Sequence, residues 1–208
     1  MLTDVKYAII KVKNPQDAYD GVEGATGMFG AQAGDPADGK TWAEHGTESG
    51  VAMENRSYYG KSTHATNESD LDLVIDTKAK LPADAKLILI VDADHPMIFS
   101  EIEPYADAIL IGMRFSAEGP SAKAFANIAC GKTEPSGLLA FQMPANMDTV
   151  ETQFEDVPRD MDCYVDADGN TYDFCFGLNW AGVIDDERTK TYKAAPLTKP
   201  ETEVKADK

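Results

Sequence analysis

Three short apolar runs narrow what this chain can fold into. Residues 5–12 read VKYAIIKV, residues 86–91 read KLILIV and residues 108–113 read AILIGM. The second and third lack the apolar–polar alternation of a strand with one wet face. They have the continuous character of parallel strands covered on both faces. Helical patterns lie between them. Leu71, Val74, Ile75 and Ala79 recur at helical spacing over 68–81, with acids at the start, Lys78 and Lys80 at the end, Asn67 as a cap and Pro82 as a stop. A short helix is expected over 95–105, and an Ala-rich one over 120–130 stopped by Gly131. Residues 138–143 give a fourth strand. The order predicts an α/β fold: a three-layer sandwich with a mainly parallel sheet between helices and right-handed crossovers. Toward the C-terminus, 163–166 and 171–176 flank Ala167-Asp168-Gly169-Asn170 as a β-hairpin.

A long irregular stretch interrupts this order. Residues 13–66 hold nine of the 16 glycines and no sustained period. A structureless loop of that length is uncommon unless a ligand or another surface orders it. The domain therefore reads as 1–184, with 13–66 a long Gly-rich loop after the first strand. Residues 185–208 read as a flexible charged tail, poor in apolar residues and holding Pro196 and Pro200.

Charge excludes several partners. The net charge is -17, and since the tail is neutral all of it falls before residue 185. No excess of Lys or Arg exists to replace phosphate counterions, so nucleic acid is not expected, nor an anionic membrane surface. Three cysteines without paired spacing make neither a disulfide framework nor a zinc site. With no leader pattern and no run of 18 apolar residues, the expected setting is cytoplasmic.

The chemistry-bearing residues are dispersed. Gly21, Gly24, Gly27 and Gly30 lack the G-x-G-x-x-G spacing at a helix start, and no phosphate-loop sequence occurs, so no nucleotide cofactor is expected. His45, His64 and His95 share no ligand spacing, and no metal is expected. His95 is the best placed of the three, beyond the 86–91 strand and beside Asp92 and Asp94. Its bland role is capping the next helix. Asp166, Asp168 and Asn170 suggest a calcium loop, but Thr171 and Gly177 stand where that loop needs Gly and an acid. Tyr58, Tyr59 and Trp42 could stack on sugar rings, or pack against another domain. Most acids of the Gly-rich stretch must be plain surface charge.

Two segments carry a resemblance. Residues 106–144 (ADAILIGMRFSAEGPSAKAFANIACGKTEPSGLLAFQMP) and 172–180 (YDFCFGLNW) resemble the C-terminal domain of glycoside hydrolase family 3, the family of many β-glucosidases. Gly131, Pro135, Ser136, Gly137 and Leu139 match its Pro-Ser-Gly segment. Tyr172, Phe174, Phe176, Gly177 and Leu178 match its closing segment. The family's Pro-Gly-x-Glu-Gly-Gly turn is replaced here by Phe115-Ser116-Ala117-Glu118-Gly119-Pro120.

The resemblance implies a retaining β-glycosidase whose nucleophilic aspartate lies on an upstream barrel domain. In many members the acid/base follows the first strand of the second domain, which points here to Asp17, Asp20 or Glu23. Trp42, Tyr58, Tyr59 and His95 are the sugar-contact candidates. The implied partners are a barrel domain, in the same enzyme or as a separate subunit, and a small β-glucoside or oligosaccharide. Nothing in the sequence resembles the barrel, so the chain alone is expected to be inactive, since one carboxylate cannot supply both displacements. The alternative is a non-catalytic carbohydrate-binding or interaction module with the same fold. A flavodoxin-like cofactor domain is a weaker third reading.

Overall fold

The computed structural model describes residues 4–16, 56–59, 65, 67–93, 95–112, 120–153 and 160–190. Cα proximity divides the chain into two compact units. One comprises Met1–Met97 with Glu101–Ala117, the other Ile98–Ser100 with Glu118–Lys208.

The first unit is the predicted α/β element. Strand β1 (Tyr7–Lys13), helix α1 (Glu68–Lys80), strand β2 (Lys86–Asp92) and strand β3 (Ala108–Gly112) follow in order. They form a parallel sheet in the order β1-β2-β3. The register sets Ile10 beside Leu89 and Ile109, and Val12 beside Val91 and Ile111. Side chains alternate across a strand, so these rows share one face. That face holds the core: Val12, Leu87, Leu89 and Val91 are buried, together with Leu71 and Val74 of α1. The rows on the opposite face are wetter. Ile88 and Ile90 are half-buried, and Tyr7 and Ile9 stand exposed on β1.

Asp107 closes the N-terminal end of this sheet. Its carboxylate accepts from Lys78 Nζ at 2.8 Å, from the Leu87 backbone N–H at 2.9 Å and from Lys86 Nζ at 2.9 Å. The Lys78 ammonium, then the Leu87 N–H and the Lys86 ammonium, hold this carboxyl well below the usual carboxylate range. One side chain thereby joins the end of α1 to the starts of β2 and β3.

Several local expectations are corrected. Residues 95–105 form no helix but two 3-10 turns, Phe99–Glu101 and Glu103–Tyr105. Asn67 caps nothing with its side chain; its amide turns to the 14–16 segment instead. The 187–190 part of the charged tail is a helical turn, α4 (Glu187–Lys190). It begins where Asp186 accepts from the Arg188 N–H at 2.8 Å, while Arg188 donates to Ser136 O at 2.8 Å.

The second unit is irregular but closely bonded. Helix α2 (Pro120–Ala129) ends as its glycine stop predicts. Gly131 adopts φ 68, and Lys132 N–H reaches back to Asn127 O at 2.8 Å, the left-handed C-terminal turn that favours glycine. Helix α3 (Met147–Thr152) starts at Asn146, whose side chain accepts from the Thr149 N–H. Strands β4 (Leu178–Asn179) and β5 (Gly182–Val183) make the C-terminal antiparallel hairpin. The expected 163–176 hairpin is reduced to a single antiparallel bridge, Val165 with Thr171. Its turn is tied by Asp166, whose carboxylate accepts from the Asp168 and Asn170 N–H groups and from Asn170 Nδ2. These bonds make the turn an Asx-type turn around Asp166.

Residues 138–143 do not continue the parallel sheet. They lie extended against 172–176: Leu139 N–H donates to Phe176 O at 2.8 Å, Cys175 N–H to Leu139 O at 2.9 Å and Met143 N–H to Tyr172 O at 2.9 Å. Tyr172 is the hub of this unit. Its ring lies 5.3 Å from Phe99, 5.3 Å from Tyr164 and 5.0 Å from Phe176, tilted and edge-on distances that stabilise aromatic clusters.

The Pro-Ser-Gly and Phe-Gly-Leu segments meet at two glycines. A Cβ on Gly177 would lie 2.3 Å from Gly137 O, a backbone atom that cannot swing aside. Gly177→Ala is expected to lower stability by about 1–3 kcal/mol through overpacking. Urea unfolding checks this, and a change within about 0.5 kcal/mol would show that the two segments do not touch.

Candidate functional site

In open parallel sheets, ligands bind beyond the C-terminal ends of the strands. At that edge β1 ends at Lys13 and β2 at Asp92. Chain leaving a sheet there must find new partners for its backbone N–H and C=O groups. Here polar side chains supply them.

Asn14 is the centre of the arrangement and is only 1% exposed. Its N–H continues the sheet by donating to Asp92 O at 3.1 Å, and its C=O accepts from Asn67 Nδ2 at 3.1 Å. Asn67 also accepts from the Gln16 N–H at 2.8 Å and donates to Asp70 at 3.1 Å. The Asp70 carboxylate in turn accepts from the Lys13 N–H at 2.9 Å. The start of α1 is thus bonded to the end of β1 by two side chains, Asn67 and Asp70.

His95 sits half-buried at the end of the β2 loop. Its Nδ1 is 2.9 Å from Pro96 O. A carbonyl only accepts, so Nδ1 is assigned as the donor of this bond. The Asn14 side-chain amide lies against the other ring nitrogen, Nε2. His95 therefore serves the edge through both nitrogens rather than capping a helix.

The 56–59 segment returns to the same edge. Tyr58 is fully buried and its hydroxyl donates to Lys13 O. Glu101 holds the segment from below. It accepts from Ser57 Oγ and from the Tyr58 N–H at 2.7 Å, with the Tyr59 N–H at 3.5 Å. Arg56 donates to Pro96 O at 3.5 Å. Burial first, then the charges of Asp70 and Glu101, drive the Tyr58 phenol far above its ordinary pKa. It stays a neutral donor and is not a base. Tyr59, by contrast, turns outward and is 42% exposed.

Of the sugar-contact candidates, Tyr58, Tyr59 and His95 converge on this edge, with Tyr59 presenting the open ring. Trp42 lies outside the described residues, as do the acid/base candidates Asp17, Asp20 and Glu23. Gln16, one residue before Asp17, is placed at the edge by Asn67. The edge residues that sequence reasoning passed over are Asn14, Asn67, Asp70 and Glu101. Asn14 beside Pro15 at a strand end was a readable signal. Glu101 had none, because its partners lie over 40 positions away in sequence. Among the described residues no group of three or more His, Cys, Asp or Glu is gathered as metal ligands. No helix among them is long and apolar enough to cross a membrane.

The fold and this edge define an α/β protein whose sheet ends in a polar edge braced by side chains. Comparison with known proteins shows what part of the chain is similar to. About half the chain is similar to β-glucosidases. A probable β-glucosidase C of Aspergillus flavus and one of Aspergillus oryzae are each 31% identical over 104 residues, 50% of this chain and 15% of the relative. The β-glucosidase C of Emericella nidulans is 32% identical over 83 residues, 40% of this chain and 13% of the relative. The matched stretches thus span less than a sixth of those proteins. No family model matches the chain, and no solved structure does. The chain carries a β-glucosidase-like region on an α/β scaffold.

Tyr58 offers a direct test of the edge. Because its folded pKa lies above the ordinary 10.0, its contribution is full below that pH. It declines as pH rises further, since the unfolded chain loses the proton first. Tyr58→Phe is expected to cost about 1 kcal/mol at neutral pH through the lost hydrogen bond. It should also flatten the alkaline loss of stability. Urea unfolding across that range would contradict the placement if the variant's alkaline slope matched the wild type.

Proposed function

We propose that this chain supplies the second, α/β part of a β-glucosidase-type retaining glycoside hydrolase. The observation that carries the reading is the similarity of half the chain to three β-glucosidases. The sheet edge supports it, because both flanks of the 17–55 stretch, Gln16 and Arg56–Tyr59, are anchored there. A stretch rich in acids and glycine then starts and ends where a ligand crevice is expected.

In this reading a barrel domain, in the same enzyme or in a separate subunit, provides an aspartate that attacks the anomeric carbon. As the glycosidic C–O bond breaks, its electron pair goes to the leaving oxygen, which takes a proton from Asp17, Asp20 or Glu23. Water, deprotonated by the same residue, then hydrolyses the glycosyl-enzyme ester. Tyr59 borders the sugar, and Tyr58, Asn14, His95 and Glu101 hold the edge in shape. The substrate is a small β-glucoside or oligosaccharide, and the setting is cytoplasmic.

Without the barrel the chain has no nucleophile, and it is expected to show no turnover of aryl β-glucosides. Robust turnover by the purified chain, abolished by Asp20→Asn, would overturn the divided active site. Oligosaccharide binding that persists while a barrel partner adds no activity would favour the non-catalytic module instead.

A further inference from the structure

We propose that the β4–β5 hairpin is a second carbohydrate-contact surface, with Trp180 as the platform for one pyranose ring of a neutral oligosaccharide. The inference rests on the carbohydrate reading above, but on a separate part of the chain. Trp180 is 65% exposed, one of the two most open large apolar residues described. It does not sit on a loose tip. It and Ala181 form the two-residue turn between the paired residues Asn179 and Gly182. Trp180 N–H donates to Glu134 Oε1 at 3.2 Å, and Ala181 N–H donates to Asn179 Oδ1 at 2.8 Å. The hairpin is fastened to its own unit by Ile184, which is buried and donates its N–H to Gly177 O at 2.9 Å. An indole is therefore held outward on fixed backbone, so little order would be lost when a ligand docks.

The chemistry around the ring suits a sugar. Leu178 and Val183, directly paired across the hairpin, are 45% and 56% exposed and extend the apolar strip. A pyranose has an apolar C–H face and polar edges, so it needs an aromatic surface with hydrogen-bonding groups at its border. Exposed Glu134 lies at the base of the turn. Among the described residues, its second carboxylate oxygen and Asn179 Nδ2 have no hydrogen-bond partner. An anionic ligand is disfavoured by the chain's charge of -17, which also opposes pairing with a second copy.

The test uses the full chain with Trp42→Phe, leaving Trp180 as the single indole of the two in the sequence. Titration with cellopentaose and with laminaripentaose should give a saturable change in indole emission with at least one of them. In calorimetry, Trp180→Ala should weaken that binding by at least about tenfold, while Trp180→Tyr retains most of it. Tyr59→Ala should leave the hairpin binding unchanged. Unchanged emission at millimolar oligosaccharide, or equal affinity in Trp180→Ala, would overturn the proposal. So would concentration-dependent self-association lost in Trp180→Ala, which would make the hairpin a protein interface. Binding lost only in Tyr59→Ala would refute this surface and leave the sheet-edge reading intact.

Discussion

The buried amide of Asn14 is the interaction on which the functional edge depends. Three parallel strands end together, and the chain leaving β1 must satisfy its backbone groups away from water, where an unpaired one costs on the order of 1–3 kcal/mol. Asn14 continues the ladder to Asp92 and offers its carbonyl to Asn67. Its side chain meets His95. Tyr58 and Asp70 then close on Lys13 from either side. Most of these groups are neutral, so the edge avoids burying uncompensated charge in an already acidic chain.

This arrangement gives the glycine-rich stretch a defined beginning and end. Gln16 and Tyr58 belong to the same bonded cluster, although 42 positions separate them. The second unit solves a different problem. With few regular elements, it relies on the Tyr172 aromatic cluster and on the close approach of Gly177 to Gly137. That contact gives a physical reason for the two glycine-bearing segments to occur together.

The three sheet strands were legible in the sequence to within two residues at each end, because burial leaves its mark as apolar runs and parallel strands need a crossover. The end of α2 was legible because Gly131 is a chemical stop. What escaped was long-range polar pairing. Residues 138–143 look like a strand by composition, yet their hydrogen bonds go to 172–176, and no local pattern reveals the partner. Asn67 looks like a helix cap, but its amide gains more from bridging Gln16 and Asn14. Glu101 sits in a turn and is unremarkable until the 57–59 segment is seen to hang from it. The resemblance to β-glucosidases was legible in the sequence, and the sheet edge was placed by the end of β1.

Amide hydrogen exchange at the edge tests the central claim most directly. Lys13, Asn14 and Tyr58 donate their N–H groups to Asp70, Asp92 and Glu101, so all three amides should exchange as slowly as those of β2. Glu101→Ala should speed exchange at Tyr58 while leaving Asn14 protected. Rapid exchange at Tyr58 in the unmodified chain, or no response to Glu101→Ala, would contradict the account that this edge anchors both flanks of the acidic stretch.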